Sequence, residues 1–172
     1  KKTFQRINGI KHEYFKSLEI DCTFDNDHRK GNLQSRIKAI CNEISGHVDR
    51  GINLFILSNR HIDAENVPIP SLLIVGGVHQ YLIKQGKRHK ASLIVDGGDI
   101  IETHHCATCI SFGADAVFPR LALDTLEELH GIAKLNGSQS AQDYQKSYVK
   151  AIDKGLLKVM SKLGISTVQS YK

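Results

Sequence analysis

Three short polar stretches hold the groups best suited to chemistry: Ser58-Asn59-Arg60, Asp96-Gly97-Gly98-Asp99 and Phe118-Pro119-Arg120. Two arginines and a glycine pair suit an anion or phosphate site, because guanidinium forks match oxyanions and glycine lets backbone approach a ligand. Ordinary turn chemistry explains the same residues and is the favoured reading. A second cluster is His104-His105-Cys106-Ala107-Thr108-Cys109, where His105 and Cys109 stand four apart and Cys106 and Cys109 three apart. On a helix that spacing turns three metal-binding side chains toward one ion. A structural zinc needs a fourth ligand, however, and the chain offers no second Cys-x-x-Cys or finger-like His pair. Cys106, Cys109, Ile110 and Gly113 also fall on one stripe of small residues, so core packing is favoured for both thiols. His79 and His104 fit either a hydrogen-bonded place at the strand ends or an exposed one.

A third feature is a lysine ridge, Lys146, Lys150, Lys154, Lys158 and Lys162, at constant four-residue spacing. Adjacent like charges on a helix repel by about 0.2–0.5 kcal/mol per pair. A solvated face accounts for such a ridge, and so does an acidic partner surface, including another domain of the same polypeptide. Nucleic acid is a poorer fit, since the chain has no Trp and no aromatic residue interleaves with these lysines as a stacking platform would.

Elements must bring these groups together. Leu33, Ile37, Ile40, Cys41, Ile44 and Val48 repeat at helical spacing, with Gly51 as a stop. Asn53-Leu54-Phe55-Ile56-Leu57 reads as a buried strand. Pro68 and Pro70 break the chain; a helix follows over Leu72 to Ile83, ending near Gly86. Ser92-Leu93-Ile94-Val95 is the next strand, and Gly97-Gly98 are expected to supply backbone freedom for a tight turn. A helix over Glu102 to Phe112, a short strand Ala116-Val117-Phe118 and a helix from Leu121 to Ala133 come next. Tyr144, Tyr148, Ala151, Ile152, Leu156, Val159, Met160 and Leu163 define one apolar face of a long last helix, interrupted by Gly155, which implies a kink or a close approach. Alternating strands and helices predict an α/β fold with a parallel sheet, half-barrel-like, ending in a long helical segment. Binding groups then gather at the carboxyl ends of the strands, on one rim. The expected division is one domain over 1–172: a mixed lead-in over 1–30, a β/α core over 31–135, the long helix over 141–163 and a tail over 164–172.

Composition supports a globular domain: 41% hydrophobic, 24% charged and only three prolines in 172 residues. No apolar run approaches the roughly 18 residues that span a bilayer, and Lys1-Lys2-Thr3-Phe4 lacks the apolar stretch of a secretion signal, so an intracellular soluble protein is expected. Cys22, Cys41, Cys106 and Cys109 are too few and irregular for a disulfide framework, which makes Asn136-Gly137-Ser138 an accidental sequon. The formal charge of +5 suits phosphate, nucleic acid or an acidic neighbour alike.

One stretch, Gly155-Leu156-Leu157-Lys158-Val159-Met160-Ser161-Lys162-Leu163-Gly164-Ile165-Ser166-Thr167, closely resembles the large chain of glutamate synthases, where methionine usually stands at the place of Leu163. Ile56-Leu57-Ser58-Asn59-Arg60, Ile69-Pro70-Ser71-Leu72-Leu73, Gly77-Val78-His79-Gln80-Tyr81-Leu82-Ile83, His104-His105 and Gly113-Ala114-Asp115-Ala116 resemble it in order and spacing. The resemblance covers about Ser17 to Tyr171 and points to the central domain. It implies a multidomain oxidoreductase that hydrolyses glutamine at an N-terminal cysteine, channels ammonia, and adds it reductively to 2-oxoglutarate on a flavin domain. FMN and an iron–sulfur cluster are implied for the full-length enzyme, with none in this piece, which lacks the nucleophile and the cysteine cluster. Residues 164–172 would begin the link to a flavin domain. The implied partners are flanking amidotransferase and flavin domains of the same polypeptide, without nucleic acid or membrane, in the cytoplasm, or a plastid in plants or algae. Ser58, Arg60, His79, Gly97, Gly98, His104, His105, Arg120, Lys154, Lys158 and Lys162 are the candidate rim or interdomain contacts. The chain departs from the family pattern at Asn59 for an Asp, Asp96-Gly97-Gly98-Asp99 for a Ser-Gly-Glu turn, Arg120 for an aromatic, and Cys106 and Cys109 for bulky apolar residues. The alternative is a free-standing α/β domain that binds a phosphorylated ligand through Arg60, Gly97, Gly98 and Arg120.

Overall fold

The computed structural model describes residues 2–10, 12–26, 32–132 and 139–171. In chain order it contains α1 (Lys2–Ile7), β1 (Ser17–Asp21), β2 (Thr23–Asp25), α2 (Asn32–Asp49), β3 (Leu54–Ser58), β4 (Asn66–Pro68) and α3 (Ser71–Lys84). Then come β5 (Ser92–Gly97), α4 (Thr103–Ser111), β6 (Ala116–Pro119), α5 (Arg120–Gly131) and α6 (Ala141–Leu163), with 3-10 turns at Arg88–Lys90 and Val168–Tyr171. The sequon at 136–138 and the expected helix end at Ala133 lie outside the described residues.

Four strands pair in parallel in the order β1-β3-β5-β6, as the alternation predicts. Pairing aligns Ile20, Leu57, Val95 and Val117 in one row. Because side chains alternate along a strand, this row and Phe55 and Leu93 share a face. Ile40, Cys41 and Ile44 of α2, Ile74, Val75, Val78 and Leu82 of α3, and Cys106 and Cys109 of α4 join them in one buried cluster. The opposite face is smaller: Ile56 and Ile94 pack with Phe4, whose ring stacks on Phe118 at 4.1 Å and 5°. Burial on both faces explains why β3 and β5 read as unbroken apolar runs.

The lead-in contains more order than the sequence suggested. β1 is an edge strand paired with β3, and β2 pairs antiparallel with β4, Phe24 opposite Val67. The signal was present in the alternation of Leu18, Ile20, Cys22 and Phe24. It is weak because the other face of β1 carries Glu19 and Asp21, whereas the central strands bury both faces.

One glycine reading changes, and another is narrowed to one of its two alternatives. Gly97 and Gly98 are absent from the residues of positive φ, so backbone freedom is not their role. A Cβ on Gly97 would lie 2.6 Å from Ser71 Oγ and 2.8 Å from Ile100 Cδ1, so the missing side chain is what lets α3 and the loop close over the strand end. Gly155 is a close approach: a Cβ there would run into the Thr103 side chain, 2.7 Å from Cγ2, where α6 crosses the start of α4. Helix α6 is capped at both ends, by Ser140, whose Oγ accepts from the Asp143 N–H, and by left-handed Gly164 at φ 71°.

Candidate functional site at the strand-end rim

Register brings the three polar stretches together. Ser58 pairs with Asp96 and Asp96 with Phe118 across β3, β5 and β6, so Arg60 and Arg120 converge from both sides on the Asp96 carboxylate. Asp96 is wholly buried. Its Oδ2 accepts from Ser58 Oγ at 3.0 Å and from Arg60 Nε at 3.0 Å. Arg120 Nε stands 3.3 Å from Oδ1 without the alignment of a hydrogen bond, so that contact is one of charge with charge. Asn59 Oδ1 accepts from the Gly98 N–H at 3.0 Å and from Arg120 Nη2 at 3.1 Å, while its amide donates to Asp99 at 3.3 Å. Asp99 in turn accepts from the Ser71 N–H at 2.9 Å. It thus caps α3, whose own N-cap residue, Pro70, provides no side-chain bond.

The polar residues of the three strand-end stretches are therefore bonded to one another. Asn59, Gly98, Asp99 and Arg120 form one network, and Asp96 neutralises its cations. Burial alone would lower the Arg60 pKa, but hydrogen bonding and charge from Asp96, with Glu19 and Asp124, hold it above the usual guanidinium value. Glu19 lies 3.7 Å from Arg60 Nε and also accepts from Asn8 at 2.6 Å, and the Arg60 guanidinium sits 5.9 Å from the Phe4 ring centroid. A cavity of about 330 Å3 opens beside this cluster, lined by Phe4, Asn8, Arg60, Arg120 and Asp124 among others. Its arginines already face carboxylates. A phosphate would have to displace a buried internal anion to bind there.

The other candidates lie elsewhere. His79 is not at the rim, because α3 carries it past the sheet to the amino-terminal ends of β5 and β6. There its Nδ1 accepts from Arg88 Nε at 2.9 Å. Arg88 also donates to the carbonyl of Gly113 and to Asp115, each at 2.8 Å, and Asp115 accepts from the Leu93 N–H. This arginine was missed in the sequence, where it stands among the basic residues of Lys87-Arg88-His89-Lys90 with nothing local to distinguish it. His104 and His105 are exposed in the first turn of α4, where His105 Nδ1 accepts from the Ile101 N–H at 3.1 Å. Lys154, Lys158 and Lys162 are exposed on α6, on the outer surface.

Cys106 and Cys109 are 3% and 2% exposed, which bears out packing as their role. Burial, with a smaller contribution from Asp153, raises the Cys106 thiol to about 11. Burial, then Asp99 and Cys106, pushes Cys109 to about 12, and burial raises Cys41 to about 11. Such thiols stay protonated, whereas cluster and zinc ligands are thiolates. Among the described residues no group of three or more His, Cys, Asp or Glu is arranged to hold a metal ion. The described residues, which include all four cysteines, therefore do not fit an iron–sulfur cluster. Unfolded thiols titrate near pH 8.5. The folded values are higher, so the thiols' contribution to stability is complete below that pH and is lost as pH climbs toward 11–12. We expect the urea midpoint to fall from pH 8.5 to 11, and to fall less steeply in Cys109→Ala. Equal slopes in the two proteins would refute this.

The whole of residues 1–172 matches the family described as the glutamate synthase central domain. The chain is 35% identical over 175 residues to glutamate synthase [NADH] of Schizosaccharomyces pombe, covering 99% of this chain and 8% of that one. It is 38% identical to the large chain of glutamate synthase [NADPH] of Bacillus subtilis, covering 98% and 11%, and 35% identical to the ferredoxin-dependent glutamate synthase of Pyropia yezoensis, covering 96% and 11%. It thus spans 8–11% of the length of these curated relatives. No helix among the described residues is long and apolar enough to cross a membrane. With its full length matched and its strand-end motifs assembled on one parallel sheet, this chain belongs to the glutamate synthase central domain family.

Proposed function

We propose that the chain serves as the central structural domain of a glutamate synthase, a spacer that holds an amidotransferase domain and a flavin domain in register and helps form the passage for ammonia between them. The whole enzyme would convert glutamine and 2-oxoglutarate to two glutamates reductively, in the cytoplasm or a plastid. FMN and the iron–sulfur cluster would belong to the flanking domains. The observation that carries this reading is the closed rim. Where a barrel enzyme presents reacting groups, this sheet spends Asp96, Arg60, Arg120, Asn59 and Asp99 on one another. That arrangement favours rigidity over turnover. It also weakens the case for a free-standing phosphate-binding domain, whose cations would be those already held by Asp96.

Exposed apolar side chains add support. Leu72, Leu73 and Phe112 line a largely apolar groove of about 540 Å3 between α3 and α4, the kind of surface that contact with another domain removes from water. The test is enzymatic. The purified 172-residue chain should neither release ammonia from glutamine nor form glutamate from ammonia, 2-oxoglutarate and a reductant. Turnover in either assay would overturn the reading.

A further inference from the structure

Helix α6 spends its apolar side within the domain and leaves a basic side unmatched. Its inner side is occupied: Gln145 Nε2 donates to the Leu123 carbonyl at 2.8 Å, Tyr148 Oη to the Ile101 carbonyl at 2.6 Å, Gly155 abuts Thr103, and Met160 is buried. Outward stand Lys146, Lys150, Lys154, Lys158 and Lys162, all exposed. With 1.5 Å of rise per residue, the ridge is about 24 Å long, and at 3.6 residues per turn it winds slowly across the outer half of the helix. Lys146 is paired with Asp143 at 3.1 Å. The other four have no ion pair among the described residues. Leu157, 63% exposed, lies within the ridge.

Each feature narrows the class of occupant. A membrane-surface helix needs a continuous free apolar face opposite its lysines, and here that face packs against α4 and α5, leaving only the large side chains of Val149 and Leu163 exposed toward its two ends. Single-stranded nucleic acid needs stacking platforms, and no aromatic side chain stands among these lysines. A small anion needs convergent donors, whereas these ammonium groups diverge along a convex surface. What remains is an extended carboxylate-bearing surface that can follow the ridge and take Leu157 into an apolar contact.

We propose that the α6 lysine ridge docks on an acidic face of another domain of the same polypeptide. This rests on the reading of the chain as a central domain, and on relatives in which about nine-tenths of the length lies outside the matched piece. Docking would relieve the repulsion between successive lysines and cover Leu157.

The experiment uses the full-length polypeptide and a water-soluble carbodiimide, which activates a carboxylate for attack by a neighbouring lysine amine and leaves an isopeptide bond. Peptide mass spectrometry should find Lys150, Lys154 or Lys158 joined to Asp or Glu outside residues 1–172, with yield at least fivefold lower in 0.5 M NaCl. A Lys150→Gln, Lys154→Gln, Lys158→Gln variant should lose those products while remaining folded. If the ridge lysines form no such bonds although the polypeptide makes glutamate from glutamine and 2-oxoglutarate, the docking proposal is wrong and the central-domain reading stands. If the polypeptide makes no glutamate, that reading falls and the proposal with it. Ridge lysines protected by co-purifying nucleic acid, and released by nuclease, would also overturn it.

Discussion

Asp96→Asn is expected to destabilise the chain by about 3–5 kcal/mol, the usual cost of leaving one side of a buried ion pair without its counter-charge. The substitution keeps the shape and removes only the charge. Arg60 and Arg120, whose side chains are 34% and 19% exposed, would then face each other across a neutral amide, and the water that reaches Arg60 sets the loss at the lower end of that range. Ser58→Ala is the contrast: it removes one neutral donor and should cost about 1 kcal/mol. Urea midpoints with an unchanged slope would measure both. A loss below about 1 kcal/mol for Asp96→Asn would mean that the carboxylate is not what holds the rim. Should the single variant fail to fold, Asp96→Asn with Arg120→Met removes one stranded cation and should recover folded protein. The double variant keeps the experiment decisive.

Gly113→Ala should cost about 3 kcal/mol or more, from two sources that a second substitution separates. Gly113 has φ +113°, a region that L side chains rarely adopt. Its Cβ would also collide with the His79 ring, only 2.6 Å from the His79 Cβ. His79→Ala removes the ring contacts but keeps the Cβ at 2.6 Å, so it relieves part of the collision and leaves the backbone strain. The pair should therefore be coupled by about 1–3 kcal/mol, the double variant being more stable than additivity allows. His79→Ala alone carries a cost, since Arg88 loses an acceptor while keeping Gly113, Asp115 and the Ala91 carbonyl. Thermal or urea unfolding of the four proteins gives the cycle. Simple additivity would show that the approach of the His79 ring contributes nothing.

These two sites mark where local reading stopped. The helices α2, α3, α4 and α6 and the strands β3 and β5 were legible because each buries a face that repeats within a few residues. The packing of Cys106 and Cys109 was legible for the same reason, as were the helix stops at Gly51 and Gly86, both of positive φ. Edge strand β1 was not, because its outer row, Glu19 and Asp21, is acidic and the pairing that makes it a strand lies 37 residues away, Ser17 to Leu54. The site divides in the same way. Ser58, Arg60, Gly97, Gly98 and Arg120 followed from the rule that strand ends share a rim, whereas His79, left open between the rim and an exposed place, lies at the opposite end of the sheet. From the sequence, Arg60 and Arg120 suited ordinary turn chemistry, the favoured reading, or an anion site, and nothing nearby in the chain decides between the two.

By itself, then, the order of residues determined the central strands and the longer helices, and which side of each is apolar. Tertiary structure alone decided that Asp96, 36 residues from Arg60, is the anion those arginines hold, and that Asn59 and Arg120, 61 residues apart, share a hydrogen bond. The physical reason is one of range. Periodic burial is written within a turn or a pleat, but whether a charge is free or spent depends on which distant carboxylate the register of the sheet brings beside it.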